Sequence, residues 1–169
     1  MPYVGSYVWK IRQKIGHDFL VMPSVDTVIE RDDGKVLMIY NKSFDGWAFP
    51  GGSVEPHQTW REAALAETQE ESGINAHPDD LILFATVSGP GYVFHYQNGD
   101  QTQVYTNCFA LKNWQSESDI SDKDEISQKK WFSLDEAKQL PLTLSSREIL
   151  PAYEKWLETG QIQMIEARK

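Results

Sequence analysis

Apolar positions along this chain fall in short runs separated by polar turns, and the period of those runs changes from two to nearly four and back. From Phe19 to Glu30 the run is apolar and β-branched, Asp33-Gly34 supplies a turn, and Lys35 to Tyr40 (KVLMIY) resumes as a strand, which predicts a first hairpin. The turn-rich NKSFDG, the short WAFP segment and a Gly51-Gly52 loop follow. Thr59 is then placed to N-cap a helix over about Trp60 to Ser72, with Glu62 completing a capping box and Gly73 suited to a left-handed C-cap. Leu81 to Val87 (LILFATV) reads as a third strand. The clearest hairpin signal is Tyr92 to Gln97, then Asn98-Gly99, then Thr102 to Leu111. In its second arm Val104, Thr106, Cys108 and Ala110 alternate with Tyr105, Asn107, Phe109 and Leu111, so neither face is cleanly polar and both are expected to be covered. SESDISDKDE reads as an exposed acidic loop, Lys130 to Phe132 as a short strand, and Ser133 with Glu136 as the cap of a helical turn over Leu134 to Gln139. A last helix, from about Ser145 to Glu158, carries Ile149, Leu150, Tyr153 and Trp156 near one stripe, with Pro151 interrupting or starting it. Strands before and after one central helix, with further helices at the end, predict an α+β or mixed α/β domain with helices packed on a sheet.

The length of 169 residues suits a single domain over 1–169. No apolar run approaches the ~18 to 20 residues that cross a membrane. The amino-terminal MPYVGSYVWKIRQKIGHDF lacks an apolar segment followed by a small-residue cleavage site, so no secretory signal and a cytoplasmic location are expected. The single cysteine, Cys108, excludes an intrachain disulfide and a cysteine-based zinc cluster, and its place in an alternating strand predicts a buried structural thiol. A net charge of -9 argues against a long nucleic acid as partner, because phosphate neutralisation needs a basic surface. A small phosphorylated substrate bridged by a cation remains compatible.

The candidate chemistry lies behind Gly51-Gly52. At about 100° per helical residue, Glu67, Glu70 and Glu71 lie at about 0°, 300° and 40°, within one arc of about 100°. Unpaired like charges at that spacing oppose each other by a few tenths of a kcal/mol per pair, and a hard divalent cation with oxygen ligands removes that cost. An ordinary acidic surface helix would carry the same residues.

The stretch Trp47 to Ile74, WAFPGGSVEPHQTWREAALAETQEESGI, resembles the signature of the Nudix (MutT-like) hydrolase family, G-x5-E-x7-R-E-U-x-E-E-x-G-U with U aliphatic. Over residues 52–74, Gly52, Glu67, Glu70, Glu71, Gly73 and Ile74 meet it at the required spacing. Trp47, Phe49, Pro50 and Gly51 fit the family's lead-in, and Ala63-Ala64 its small helical residues. Gln58 stands in place of the first glutamate, Ala66 in place of the arginine and Thr68 in place of an aliphatic residue.

The resemblance implies an α/β/α sandwich around a mixed β-sheet and a divalent-metal-dependent hydrolase. The substrate would be a nucleoside diphosphate linked to another moiety, or a similar small phosphorylated compound, cut at the pyrophosphate bond. It implies Mg²⁺ or Mn²⁺ held by Glu67, Glu70, Glu71 and the Gly51 carbonyl. Family members differ in whether a glutamate of this helix or one of a later loop is the base, which makes Glu70, Glu71 and Glu125 the catalytic candidates. Lys42, just before the site loop, is a substrate candidate or a solvated strand end. Tyr92 and Phe94, alternating with Tyr96, offer a stacking surface or a packing stripe. His57, within the signature loop, could approach phosphate or be an ordinary exposed histidine; the tryptophans Trp9, Trp60, Trp114, Trp131 and Trp156 receive no substrate role. Because Gln58 and Ala66 replace residues that orient the metal-binding glutamates, a catalytically impaired Nudix-fold nucleotide-binding module is the alternative. Such losses cost ~10 to 100-fold in affinity or activity. Dimers are frequent in the family, which leaves a homodimer open.

Overall fold

The computed structural model describes residues 4–168; residues 1–3, the start of the segment read for a secretory signal, and residue 169 lie outside the described residues. The elements run α1 (Tyr7–Ile15), β1 (Leu20–Ile29), β2 (Val36–Asn41), β3 (Gly46–Ala48), β4 (Gly51–Ser53), α2 (Trp60–Ser72), β5 (Ile74–Asn75), β6 (Leu81–Ser88), β7 (Val93–His95) and β8 (Gln101–Leu111). They continue with β9 (Ser116–Glu117), β10 (Ile126–Phe132), α3 (Leu134–Ala137), α4 (Leu144–Thr159) and β11 (Gln163–Glu166). The main sheet is mixed, in the order β11-β6-β8-β1-β4 with β7 also on β8; a second sheet has the order β10-β2-β3.

The long arm of the Asn98-Gly99 hairpin is the centre of the main sheet, and its mixed faces are explained by a layer on each side. Phe109 and Leu111 join Val25, Ile29, Ala63 and Ala64 of α2 in one core cluster. Val104, Cys108 and Ala110 join Val28, Ile149, Leu150 and Tyr153 of α4 in the other. Successive strand residues face opposite ways, so α2 and α4 cover opposite faces and the expected sandwich is formed. Cys108 is fully buried within it.

The first hairpin is a correction. The Asp33-Gly34 turn forms, with Gly34 at φ 77° and Arg31 N–H bonded to Lys35 O at 2.8 Å. Beyond the single bridge Glu30↔Val36 the strands part into different sheets. The reason is edge availability: β8 pairs with β1 from Leu20 to Ile29, and β4 takes the other edge at Ser24 to Asp26. Both edges of β1 are thereby taken at Ser24 to Asp26, and β2 turns to β3 and β10 instead.

Pro151 is a second correction, since α4 continues through it from Leu144 to Thr159. Its ring removes one bond to the carbonyl of Arg147. Both residues are exposed, so water reaches that carbonyl, while Ile149, Leu150 and Tyr153 hold the opposite stripe in the core. The sequence reading also missed α1 and β11. α1 is held by a polar anchor rather than an apolar stripe: Arg12, 8% exposed, donates to Asp18 O at 2.7 Å, to Gln101 O at 3.0 Å and to Thr102 Oγ1 at 3.0 Å.

Pro151→Ala restores one helical donor at an exposed position without opening a cavity. It is expected to raise stability by about 1 to 3 kcal/mol, read as a higher urea midpoint at unchanged m; an unchanged or lower midpoint refutes this account of α4.

Candidate active site

The capping box expected at Thr59 and Glu62 is present, and Gly73 closes α2 in the left-handed region at φ 75°. Between these caps, Ala63 and Ala64 pack at 1% and 0% exposure. Such small residues let the helix approach β1 and β4 closely. The glycines of β4 complete the fit through space rather than backbone freedom. A Cβ on Gly51 would lie 2.3 Å from Val25 O, and one on Gly52 would lie 2.6 Å from the Glu67 carboxylate.

Glu71 is 4% exposed and its Oε2 accepts the Gly51 N–H at 2.8 Å. Glu67 lies half-buried one turn earlier, against Gly52, and Glu70 is exposed on the same helix. A fourth carboxylate, Asp26 in the middle of β1, escaped the sequence reading. It is 7% exposed and directly opposite Gly51 in the ladder. The only signal for it was an acid inside a strand rich in β-branched residues, SVDTVI.

The acidic loop does more than face solvent: it folds onto the end of α2. Ser121 and Asp122 N–H groups donate to Glu70 O at 3.1 and 3.0 Å, and Lys129 Nζ donates to Ser72 O at 2.8 Å. This brings Glu125 and Asp122 beside the glutamates of the helix, close enough to raise the Glu67 pKa. Asp124 stays exposed.

Burial, then the charges of Glu70, Glu125, Asp122 and Glu55, push the Glu67 carboxyl up to about 8. Burial and Glu67 hold Glu71 well above the ordinary range, opposed by the Gly51 N–H. Burial and Glu67 do the same to Asp26. Glu70 is raised by partial burial and by Asp122. Among the described residues no lysine, arginine or histidine forms an ion pair with any of these groups. Oxygen donors crowded without a cationic partner suit a hard divalent ion in chemistry. Among the described residues no three acidic, histidine or cysteine side chains already converge tightly enough to chelate an ion, so binding would require the carboxylates to turn inward.

Next to this cluster, Phe44, Phe49, Phe94, Tyr96 and Val104 wall a cleft that ends at Asp26, Gly51 and Glu71. Phe44 meets Phe94 edge-on at 5.4 Å between centroids and Tyr96 at 5.5 Å. Tyr92 also lines the cleft but is fully buried, and its hydroxyl has no hydrogen-bond partner among the described residues. The Thr106 hydroxyl lies close enough to favour the phenolate, yet it is engaged with Ser24 Oγ.

Lys42 points elsewhere: its Nζ donates to Lys123 O at 2.8 Å. Gln58 Oε1 accepts the Glu55 N–H at 3.0 Å, and the Glu55 carboxylate accepts Tyr7 N–H at 3.0 Å, joining the signature loop to α1. Arg61 reaches Pro78 O and Leu81 O and does not replace the arginine missing at Ala66. His57 is exposed at φ 72°.

A NUDIX domain model matches residues 20–153. The RNA pyrophosphohydrolase of Halorhodospira halophila is 39% identical over 64 residues, a match spanning 38% of this chain and 35% of that protein. The chain thus matches only about a third of that relative's length. A MutT NUDIX hydrolase from Burkholderia pseudomallei superposes with a TM-score of 0.65 at 25% identity, covering 78% of this chain and 97% of that one. The NUDIX domain of Shewanella oneidensis NrtR, solved with ADP ribose, gives 0.65 at 19% identity and covers 80% and 88%.

The two glycines differ in what a side chain would meet. In Gly52→Ala the three atoms nearest the new methyl all belong to the end of the Glu67 side chain, so the fold should persist while Glu67 is displaced, and any Mn²⁺ binding read by titration calorimetry should weaken at least tenfold. Gly51→Ala meets backbone and should instead lower the melting temperature. The crowded charge has a consequence for pH. A carboxyl raised from 4.5 to about 8 keeps its proton in the folded state where the unfolded chain has lost it, so its contribution is complete below about 4.5 and is lost as pH rises to about 8. Chelator-treated protein should therefore lose melting temperature from pH 5 to 8, Glu67→Gln should flatten that decline, and Mg²⁺ should offset it. An identical slope in Glu67→Gln would refute the assignment.

Proposed function

Because the chain belongs to the NUDIX domain family, we propose that it hydrolyses the pyrophosphate bond of a nucleoside diphosphate linked to another moiety, or of a similar small phosphorylated substrate. The observation that carries the proposal is the set of crowded, cation-free carboxylates, with Glu71 and Asp26 buried and Glu67 half-buried, beside Gly51-Gly52 at the end of an aromatic cleft. Glu67, Glu70, Glu71 and the Gly51 carbonyl would hold Mg²⁺ or Mn²⁺, which when bound neutralises charge on the bridging phosphates. Glu125, Glu70 and Glu71 are the candidates for taking the proton of the attacking water. Burial raises the Glu70 and Glu71 carboxyls above the ordinary carboxylate range, which favours proton uptake. Phe94 offers a ring face to the base, the unpaired Tyr92 hydroxyl a polar contact, and Lys42 a charge for phosphate once it leaves Lys123. The same proposal places the protein in the cytoplasm and leaves a homodimer open.

The alternative of an impaired binding module rests on Gln58 and Ala66. Gln58 keeps the acceptor that holds the Glu55 amide, so a glutamate there would add charge rather than a missing contact. Ala66 leaves no guanidinium in the cluster, and Arg61 is committed to Pro78 O and Leu81 O.

Phosphate release over nucleotide sugars, ADP-ribose, dinucleoside polyphosphates, nucleoside triphosphates and a short 5′-triphosphorylated RNA decides between the readings. Metal-dependent turnover of a small nucleotide, abolished in Glu67→Gln plus Glu71→Gln and raised about tenfold by Ala66→Arg, is the expected result. Turnover confined to the RNA would transfer the function to that of the relatives named RNA pyrophosphohydrolase. Binding with zero turnover, even in Gln58→Glu plus Ala66→Arg, would establish the binding module. Tyr92→Phe should raise KM about five- to tenfold at nearly constant kcat, since the hydrogen bond lost between the hydroxyl and the ligand contributes about 1 kcal/mol.

A further inference from the structure

Asn41 ends β2 at 6% exposure, and the two ends of its amide face different parts of the site. Its Oδ1 accepts the Ser43 N–H at 2.9 Å and the Phe44 N–H at 3.1 Å, closing the turn that presents the Phe44 ring. Its Nδ2 donates to Glu125 Oε1 at 2.9 Å. With two backbone donors on one side and a carboxylate on the other, only this orientation of the amide satisfies every partner. The backbone reinforces the link, because Asn41 pairs with Ile126 and Lys42 N–H donates to Glu125 O at 2.9 Å. At the other end of the turn the Phe44 ring packs against Phe94 and Tyr96 in the cleft. One buried side chain therefore spans the aromatic wall and the acid of the late loop. Closing the turn needs only the acceptor, which an aspartate supplies equally well. The donor toward Glu125 is what an asparagine adds.

We propose that Asn41 is a positioning residue that couples the aromatic wall to Glu125. A ring seated against Phe44 fixes the 41–44 turn, and through Nδ2 it fixes the Glu125 carboxylate that faces Glu67 and Glu71. This rests on the hydrolase reading with Glu125 in the reaction. It follows that a substrate bearing an aromatic base should gain in kcat over inorganic tripolyphosphate, in addition to binding more tightly.

Asn41→Asp separates the two tasks, keeping the turn acceptor while turning a carboxylate toward Glu125. On the best nucleotide of the panel kcat should fall 10- to 100-fold with KM within about threefold. In a Glu125→Gln background, where the new amide can donate to the carboxylate that Asn41→Asp introduces, the same substitution should cost little more. An unchanged kcat in Asn41→Asp, or an equal loss in both backgrounds, overturns the coupling. A second readout is independent of turnover: in ¹⁵N spectra, Glu125→Gln should move the Ser43 and Phe44 amide resonances, and Phe44→Ala should move the Asn41 side-chain amide. Resonances that stay in place overturn the proposal as well. Wild-type protein that hydrolyses nothing would refute the hydrolase reading alone, and the spectra would still judge the link.

Discussion

The close approach of α2 to the Gly51-Gly52 strand is the constraint on which the site depends. It buries Glu71 against the Gly51 amide and leaves no room for a side chain between Gly52 and Glu67. It also sets these acids beside Asp26 across the β1–β4 ladder. Taking carboxylates out of water next to one another opposes folding, and nothing basic among the described residues offsets it. The apolar contacts of Ala63 and Ala64 with Val25, Ile29, Phe109 and Leu111 hold the helix in place against that repulsion. Stability is given up where the chemistry is expected, as strained or charged functional sites commonly require.

The same reasoning accounts for the second sheet. Because β4 occupies the free edge of β1, β2 is diverted to β3 and β10. The diversion opens a gap between the two sheets, walled by Phe44 from the β2–β3 turn and by Phe94 and Tyr96 from the β7 side. The cleft and the acidic cluster are consequences of one pairing choice, which is why Asp26, Gly51 and Glu71 form the end of one and the edge of the other.

Much of this was legible in the chain and some was not, along a physical line. α2 was readable to its ends because Thr59, Glu62 and Gly73 act within one turn of themselves. The Asn98-Gly99 hairpin was readable because its register is set at the turn. The fate of β1 and β2 was not, since a local turn at Gly34 carries no information about which strand occupies the next edge. α1 escaped because its anchor, Arg12, meets Gln101, 89 residues on. Asp26 escaped because its neighbours Gly51 and Glu67 come from later elements, and one acid in a strand rich in β-branched residues has no period. Lys42 was noted for its place before the loop, yet its ammonium is bound to Lys123 O, a contact that no spacing rule contains.

The altered signature positions have unequal weight once their surroundings are known. Gln58 makes a contact that needs an acceptor and no charge, so its departure from glutamate leaves the loop held as before. Ala66 has no counterpart: Arg61 is spent on Pro78 and Leu81, and Lys129 on the end of α2. The orientation of Glu67 and Glu71 must then come from packing, through Gly51, Gly52 and the buried face of α2, instead of from a guanidinium. Packing fixes Glu71, which is enclosed and hydrogen-bonded, more firmly than Glu67, which is held by exclusion from Gly52 and repelled by its neighbours. A cation added to this cluster would therefore change the position of Glu67 more than that of Glu71, and the arginine's absence bears chiefly on that one carboxylate.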